Sequence, residues 1–222
     1  MNDILILCGG KGNRLKSIIN NIPKPMVRIN NKPFLDILIT QYKKLGFDRF
    51  ILCVGYKKEI IKKYYSDKKE NIIFSEEDVL LGTGGAIKNA EDKILSDNFI
   101  VINGDTFSSI NLKKILKYHI DNKSIATIVL KRNKDKLDYG NVIIDKKNRI
   151  ISFNEKMIST DSYINCGIYF LNKSIFKYFP KGNIFSLERD IFPNLIVKKY
   201  FGYITNTKFY DIGTPEKLKY FK

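Results

Sequence analysis

A loop rich in glycine and positive charge directly follows the first apolar run of the sequence. The run ILIL occupies residues 4–7 and the loop GGKGNRL occupies residues 9–15. Glycine leaves backbone N–H groups unobstructed, and Lys11 and Arg14 add positive charge beside them. The loop therefore suits a phosphate group, although its spacing matches neither the P-loop nor the dinucleotide fingerprint. A tight turn from strand to helix would explain the glycines but not Arg14.

A lysine between two prolines is a second candidate for phosphate chemistry. Proline fixes its own backbone and restricts the residue before it, so Pro23 and Pro25 predict a rigid, extended Lys24. A surface turn that carries an incidental lysine is the simpler alternative. Lys24 is thus a candidate cation for an anionic ligand.

The elements that would position these residues alternate between strand and helix in the first half of the chain. Continuous apolar runs predict buried strands at 4–7, 50–54, 72–74 and 99–102. Apolar residues at three- and four-residue spacings predict helices at 34–45, near 59–65 and at 112–120. This alternation predicts an α/β fold with a Rossmann-like, doubly wound, mostly parallel mixed β-sheet.

The second half of the chain is predicted to be richer in β-structure. Strands are expected near 126–130, 140–144, 149–153 and 163–171. A helix from about Leu187 to Val197, capped by Ser186, precedes a last strand pair and a short terminal helix. Ligands in such folds bind at the carboxyl ends of strands, where the segments 103–105 and 211–213 also fall.

Composition and charge argue against several classes of protein. The chain has 222 residues and a formal net charge of +16, but its lysines are scattered and are not interleaved with aromatic residues, which argues against nucleic-acid binding. The three cysteines lack the spacing of a disulfide framework or zinc site and are expected to be buried thiols. Without a leader or membrane span, a cytoplasmic protein of one domain is expected.

Four motifs together resemble the sugar-1-phosphate nucleotidyltransferase family. They are the loop at 9–15, PKP at 23–25, LGTGGA at 81–86 and GD at 104–105. The resemblance continues through 153–156, 165–169 and 211–216 and covers nearly the whole chain. Segments 15–18, 22–26, 31–35, 54–57 and 186–190 are most similar to the D-glycero-α-D-manno-heptose 1-phosphate guanylyltransferases. Two features depart from the family: Asn13 stands where Thr or Ser is common, and the usual Pro-Leu-Thr before PKP is absent.

The resemblance implies catalytic and metal-binding roles. Arg14 would neutralise the departing pyrophosphate and Lys24 would grip the reacting phosphates. Asp105 and Asp211 would hold Mg²⁺, a hard cation that prefers carboxylate and phosphate oxygens. Either aspartate could instead be a helix cap or a turn residue.

The resemblance also implies two substrate sides. Glu77 would bond an edge of the base, with Glu76 as the competing side chain. The other implied nucleotide contacts are Gly9, Gly10, Gly12, Asn13, Gly82, Thr83, Gly84 and Asp105. The implied sugar-phosphate contacts are Gly140, Glu155, Lys156 and Asn165. We therefore expect a single domain over 1–222, with its nucleotide-binding part at about 1–110 and its sugar-binding part at about 111–222.

The implied reaction transfers a nucleoside monophosphate from an NTP to a sugar 1-phosphate and releases pyrophosphate. A sugar 1-phosphate loses its second proton near pH ~6, so it is already a dianionic nucleophile and needs no general base. His119, the only histidine, is accordingly expected to be a helix-surface or core-edge residue without a role. GTP and a heptose 1-phosphate are the expected pair, giving GDP-heptose for surface polysaccharide or capsule synthesis.

Two alternatives remain at this point. A mannose or other hexose 1-phosphate could replace the heptose, or the chain could be a non-catalytic nucleotide-sugar sensor. The expected partners are small molecules, without nucleic acid or membrane, and the expected state is a monomer or small homo-oligomer.

Overall fold

A sheet of nine strands lies at the centre of the part of the chain that the computed structural model describes, which is residues 2–12, 22–132, 141–154, 162–214 and 218. The helices in these ranges are α1 (Phe34–Lys44), α2 (Lys58–Tyr65), α3 (Gly82–Asn89) and α4 (Leu112–Asp121). The strands of the large sheet are β1 (Ile4–Leu7), β4 (Phe50–Val54), β5 (Ile72–Glu76), β6 (Asn98–Asn103), β8 (Ala126–Arg132), β9 (Asn141–Ile144), β10 (Ile150–Asn154), β11 (Tyr163–Asn172) and β12 (Tyr200–Ile204). Two small ribbons pair β2 (Arg28–Ile29) with β3 (Lys32–Pro33) and β7 (Thr106–Ser108) with β13 (Phe209–Asp211).

The sheet is parallel on one side and antiparallel on the other. Its main order is β10-β9-β11-β6-β1-β4-β5, in which β5, β4, β1 and β6 run parallel. Strand β11 is antiparallel to β6, β8 and β9, while β12 runs parallel to β8. The predicted α/β fold with a mixed sheet and a β-rich second half is therefore confirmed.

Helices cover both faces of the sheet because its central strands are apolar on both sides. Every residue of β4 is buried, as a continuous apolar run predicts. One face packs against Leu38 of α1, Ile61 of α2 and Ile115 of α4. The opposite face packs against Ile87 of α3 and the segment that follows residue 185. This arrangement is the doubly wound architecture that the alternation of strands and helices predicts.

The predicted helix from Leu187 to Val197 is wrong. A single π-helical turn spans Leu187–Ile191 and a 3₁₀ turn spans Phe192–Leu195. Pro193 explains the break, because proline has no N–H to continue the hydrogen-bond ladder and restricts the residue before it. The predicted cap is confirmed, since the Arg189 N–H donates to Ser186 Oγ at 3.3 Å.

The last two strands do not pair with each other as predicted. β12 joins β8 at the large sheet, and β13 joins β7 in a separate ribbon. Except for Leu218, the terminal helix lies outside the described residues. Within the described ranges, no helix combines the length and hydropathy needed to cross a bilayer.

The only histidine lies in the core, which corrects its predicted position at the helix surface or core edge. His119 is 0% exposed and its Nδ1 lies 2.9 Å from Thr127 Oγ1. Its Nε2 has no hydrogen-bond partner among the described residues. Burial lowers the pKa of His119 from 6.5 to about 4. The folded protein therefore carries this imidazole in its neutral form at pH 7.

We predict that His119 makes the protein less stable as the pH falls from 6.5 to 4. The unfolded chain binds a proton near pH 6.5 while the folded chain resists it until about pH 4, so the unfolded state gains about 3 kcal/mol over this window. When the free energy of unfolding is measured with urea at several pH values, it should fall less steeply with decreasing pH for His119→Gln than for the wild type. Equal slopes would contradict the prediction.

Candidate active site

A cavity of about 410 Å³ opens at the carboxyl ends of β1 and β6. Its size is that of a small-molecule site. The wall contains eight of the residues that the family resemblance implies for substrate binding: Gly9, Gly10, Gly12, Lys24, Glu77, Gly82, Thr83 and Asp105. The cavity thus joins segments that lie far apart in the sequence, from Leu7 to Gly213.

Lys24 reaches this cavity from a rigid turn. Pro23 is extended, with φ −67° and ψ 144°, and Lys24–Met26 form a 3₁₀ turn. The Met26 N–H donates to the Pro23 carbonyl at 2.8 Å and the Val27 N–H donates to the Lys24 carbonyl at 3.1 Å. The predicted extended backbone of Lys24 is therefore wrong. Pro25 is tolerated because it occupies the first turn, where its missing N–H would have had no partner.

A cation and two carboxylates meet at one corner of the cavity. The Lys24 ammonium forms an ion pair with the Asp105 carboxylate. Strand β13 pairs with β7, and the Ile212 N–H donates to the Asp105 carbonyl at 2.9 Å, so Asp211 lies on the strand beside Asp105. Lys24 Nζ and Asp211 Oδ1 lie 3.1 Å and 2.5 Å from the point that a Cβ on Gly213 would occupy. The pairing of β13 with β7 therefore brings Asp105 and Asp211 together, although they lie far apart in the sequence.

Of the two neighbouring glutamates, only Glu77 lines the cavity. Glu77 is 6% exposed, and its Oε2 accepts the Leu81 N–H at 3.0 Å. Burial raises the pKa of Glu77, and the hydrogen bond from Leu81 opposes this effect. Its Oε1 lies 2.8 Å from where a Cβ on Gly9 would stand, so a side chain at position 9 would displace the Glu77 carboxylate. Glu76 instead forms surface ion pairs with Lys58 and Lys62.

The start of α3 forms another part of the wall. Gly82 and Thr83 line the cavity, whereas a Cβ on Gly84 would meet the ring of Phe185. Asn165 is not part of the wall, and its Nδ2 donates to the Tyr169 hydroxyl at 2.9 Å. Of the three nucleotide contacts predicted at 82–84, Gly82 and Thr83 therefore lie at the cavity, whereas Gly84 packs against the core.

Segment 103–105 was predicted to lie at a ligand-binding strand end, but Asn103 was not among the predicted site residues, although it lines the cavity. Asn103 ends β6, and its buried Oδ1 has no hydrogen-bond partner within the described ranges. Its place directly before Gly104 and Asp105 at a strand end was the available signal.

Thiol chemistry is disfavoured at this site. Cys8 lines the cavity, but burial raises the pKa of its thiol far above the usual range, so the thiolate nucleophile is scarce at neutral pH. Cys8, Cys53 and Cys166 are all buried and free, as predicted.

Several predicted site residues lie outside the described residues. These are Asn13, Arg14, Gly140, Glu155 and Lys156.

Comparison with known proteins identifies the family. The family model for nucleotidyl transferases matches residues 4–220. This chain belongs to the nucleotidyl transferase family. It is 40% identical to the D-glycero-α-D-manno-heptose 1-phosphate guanylyltransferase of Aneurinibacillus thermoaerophilus, over 98% of this chain and 95% of the relative. It is 43% identical to the enzyme of the same name from Campylobacter jejuni, over 98% and 97%.

A solved nucleotidyl transferase structure has the same fold. The crystal structure of HddC from Yersinia pseudotuberculosis complexed with GMP-PN aligns with a TM-score of 0.87 and 38% identity, over 99% of this chain and 97% of HddC. The alignment therefore extends over the strands whose ends form the cavity.

The aspartate pair fits the divalent metal that nucleotidyl transferases of this family typically use. In the described part of the chain, no group of three or more His, Cys, Asp or Glu side chains could enclose a metal. Two converging carboxylates suit a hard cation that completes its shell with water and phosphate oxygens. When bound, such a metal would neutralise phosphate charge, and Lys24 would supply a second positive charge at the same corner.

We predict that the close packing at the cavity floor makes Gly104 essential for stability. A Cβ on Gly104 would lie 2.6 Å from the Leu7 carbonyl oxygen, so the backbone must shift in Gly104→Ala. We expect a loss of about 1–3 kcal/mol in the free energy of unfolding, measured with urea. Gly10→Ala is the matched control, because a Cβ there meets nothing within 4 Å. Equal stability of the two variants would refute the prediction.

Proposed function

We propose that this chain transfers GMP from GTP to D-glycero-α-D-manno-heptose 1-phosphate and releases pyrophosphate, with Mg²⁺ as the metal. The observation that carries the reaction is the convergence of Lys24, Asp105 and Asp211 beside a cavity lined by Glu77. The names of the two full-length relatives and the GMP-PN in the HddC complex support the guanine nucleotide. The names of the relatives also support the heptose.

The proposed chemistry depends on positioning and on positive charge. The sugar 1-phosphate is dianionic above pH ~6, so one of its oxygens attacks the α-phosphorus of GTP in line with the departing pyrophosphate. The main obstacle is the repulsion between two polyanions, which Lys24 reduces where the phosphates meet. In this proposal Arg14 neutralises the pyrophosphate. Glu155 binds hydroxyl groups of the sugar and Lys156 binds its phosphate, while Gly140 and Asn165 complete that side.

Different segments are proposed to bind the phosphates and the nucleoside of GTP. Gly9, Gly10, Gly12 and Asn13 would hold the phosphates through the loop after β1, and the start of α3 would hold the nucleoside. A product such as GDP-heptose would serve surface polysaccharide synthesis, in the cytoplasm where nucleoside triphosphates are available.

Base selection is proposed to depend on Glu77. The Watson–Crick edge of guanine presents the N1–H and N2–H₂ donors side by side, and a carboxylate is an acceptor-only group that matches both. Glu77 lines the cavity, while Glu76 is held on the surface by two lysines. This contrast favours Glu77 over Glu76 as the base-reading residue.

A substrate matrix tests the reaction. The protein is incubated with each NTP, with and without Mg²⁺, and with heptose, mannose and glucose 1-phosphates, and pyrophosphate release is measured. We expect the highest kcat/KM with GTP and the heptose 1-phosphate, and loss of release when the metal is chelated. No release with any pair would refute nucleotidyl transfer. Release with UTP or dTTP alone would refute the guanylyl assignment, and a preference for mannose 1-phosphate would refute the heptose.

We predict that Glu77→Gln weakens GTP selection. The glutamine amide places an N–H₂ donor against the guanine donors, so kcat/KM for GTP should fall about 10- to 100-fold. The KM for the sugar 1-phosphate should stay within about twofold. Glu76→Gln is the control for the same chemical change one residue away, and a GTP defect in that variant instead would reverse the assignment.

A further inference from the structure

A buried carboxylate lies behind the wall of the cavity. Glu188 is 9% exposed and is bound by three side-chain hydroxyl groups. Its partners are Thr83 Oγ1 at 2.5 Å, Ser186 Oγ at 2.8 Å and the Tyr169 hydroxyl at 2.9 Å. Among the described residues, no lysine or arginine forms an ion pair with Glu188. A buried carboxylate held only by hydroxyl groups is unusual, because buried charges are normally paired with opposite charges.

The direction of each hydrogen bond is set by a second bond on the same hydroxyl oxygen. Thr83 Oγ1 accepts the Leu187 N–H at 2.9 Å, and Ser186 Oγ accepts the Arg189 N–H at 3.3 Å. The Tyr169 oxygen likewise accepts Asn165 Nδ2 at 2.9 Å. Each hydroxyl proton is therefore available to the carboxylate. Burial raises the pKa of the Tyr169 hydroxyl, which keeps this donor protonated.

One branch of the network holds the nucleotide side of the cavity. Thr83 lies in the first turn of α3 and lines the cavity. The N–H groups of Gly84 and Gly85 both donate to the Phe185 carbonyl at 3.1 Å. The start of α3 is therefore fastened to the segment that carries Glu188, by its backbone and by its threonine.

The other branch holds an irregular part of β11. The register of β11 against β8 shifts between Asn165 and Tyr169. Asn165 uses both ends of its amide there, donating to Tyr169 and accepting the Gly167 N–H at 2.9 Å. Because the regular ladder is interrupted, the orientation of Asn165 depends on Tyr169, whose hydroxyl is in turn bound by Glu188.

We propose that Glu188 is a positioning residue that fixes Thr83 and Asn165 in one geometry, so that the two substrates meet correctly. The inference rests on the proposed function, which gives Thr83 to the nucleotide and Asn165 to the sugar phosphate. Glu188 itself touches neither substrate in this scheme.

The two branches of the network are tested separately through the KM values for the NTP and for the sugar 1-phosphate. Both values are measured with the substrate pair that the wild type turns over fastest. Glu188→Gln keeps the side-chain shape but turns an N–H₂ donor toward hydroxyl donors, so the KM values for both substrates should rise about tenfold or more. Thr83→Val should raise the KM for the NTP and leave that for the sugar 1-phosphate within about twofold. Tyr169→Phe should do the reverse, and these two variants decide the matter if Glu188→Gln does not fold.

Ser186→Ala is the matched control for a structural role. It removes the third hydroxyl, which leads to neither substrate, so it should lower the thermal unfolding temperature and leave both KM values within about twofold. If Glu188→Gln, Thr83→Val and Tyr169→Phe also lower only the unfolding temperature, the carboxylate is merely structural and the inference is overturned. Wild-type inactivity with every substrate pair would instead overturn the proposed function, and this inference with it.

Discussion

The parallel pairing of β1 with β6 is the constraint on which the site depends. Leu7 stands opposite Asn103 at the ends of these strands, and the Gly104 N–H continues the pairing to the Leu7 carbonyl at 3.0 Å. Both strands are apolar and buried, so slipping their register would disrupt the core on both faces of the sheet. This pairing places the glycine-rich loop after β1 beside Asp105.

The arrangement of charged side chains at the cavity follows from this strand pairing. Lys24, on a turn made rigid by its two prolines, pairs with Asp105, and the ribbon of β7 and β13 adds Asp211. The three thiols and the only imidazole are buried, and the imidazole is neutral, so neither kind of group offers a ready nucleophile or base at the cavity. A site that combines Lys24 with two carboxylates that would hold a divalent cation is suited to binding and orienting phosphates, and a phosphate nucleophile needs no base.

The wall of the cavity is supported from behind by segments of the second half of the chain. Phe185 caps the first N–H groups of α3, and Glu188 holds the threonine of its first turn. The irregular turns after Ser186 thus support the glycine-rich start of a helix whose intrinsic propensity is poor. Hydrogen bonds from distant segments therefore stabilise the start of α3, where the cavity wall consists of small residues.

Local sequence patterns determined most of the elements. The apolar run at 50–54 matches β4, and the spacing after Pro33 matches α1, because buried strands and amphipathic helices leave direct periodic signals. The motifs at 9–15, 23–25, 81–86 and 104–105 together also indicated the family. Two local predictions failed: Lys24 lies in a 3₁₀ turn instead of an extended segment, and the last predicted helix ran through Pro193, which is itself a local helix breaker.

Only the tertiary structure decided which of these residues meet. Glu76 and Glu77 are neighbours at a strand end and cannot be distinguished by composition, but the backbone directs one to lysines on the surface and the other into the cavity. The proximity of Asp105 to Asp211 required the pairing of β13 with β7, a contact between distant segments. The sequence by itself determined the fold class and the chemistry of the motifs, because both are encoded in local periodicity and residue type. Their convergence depends on long-range strand pairing, which leaves no local signal.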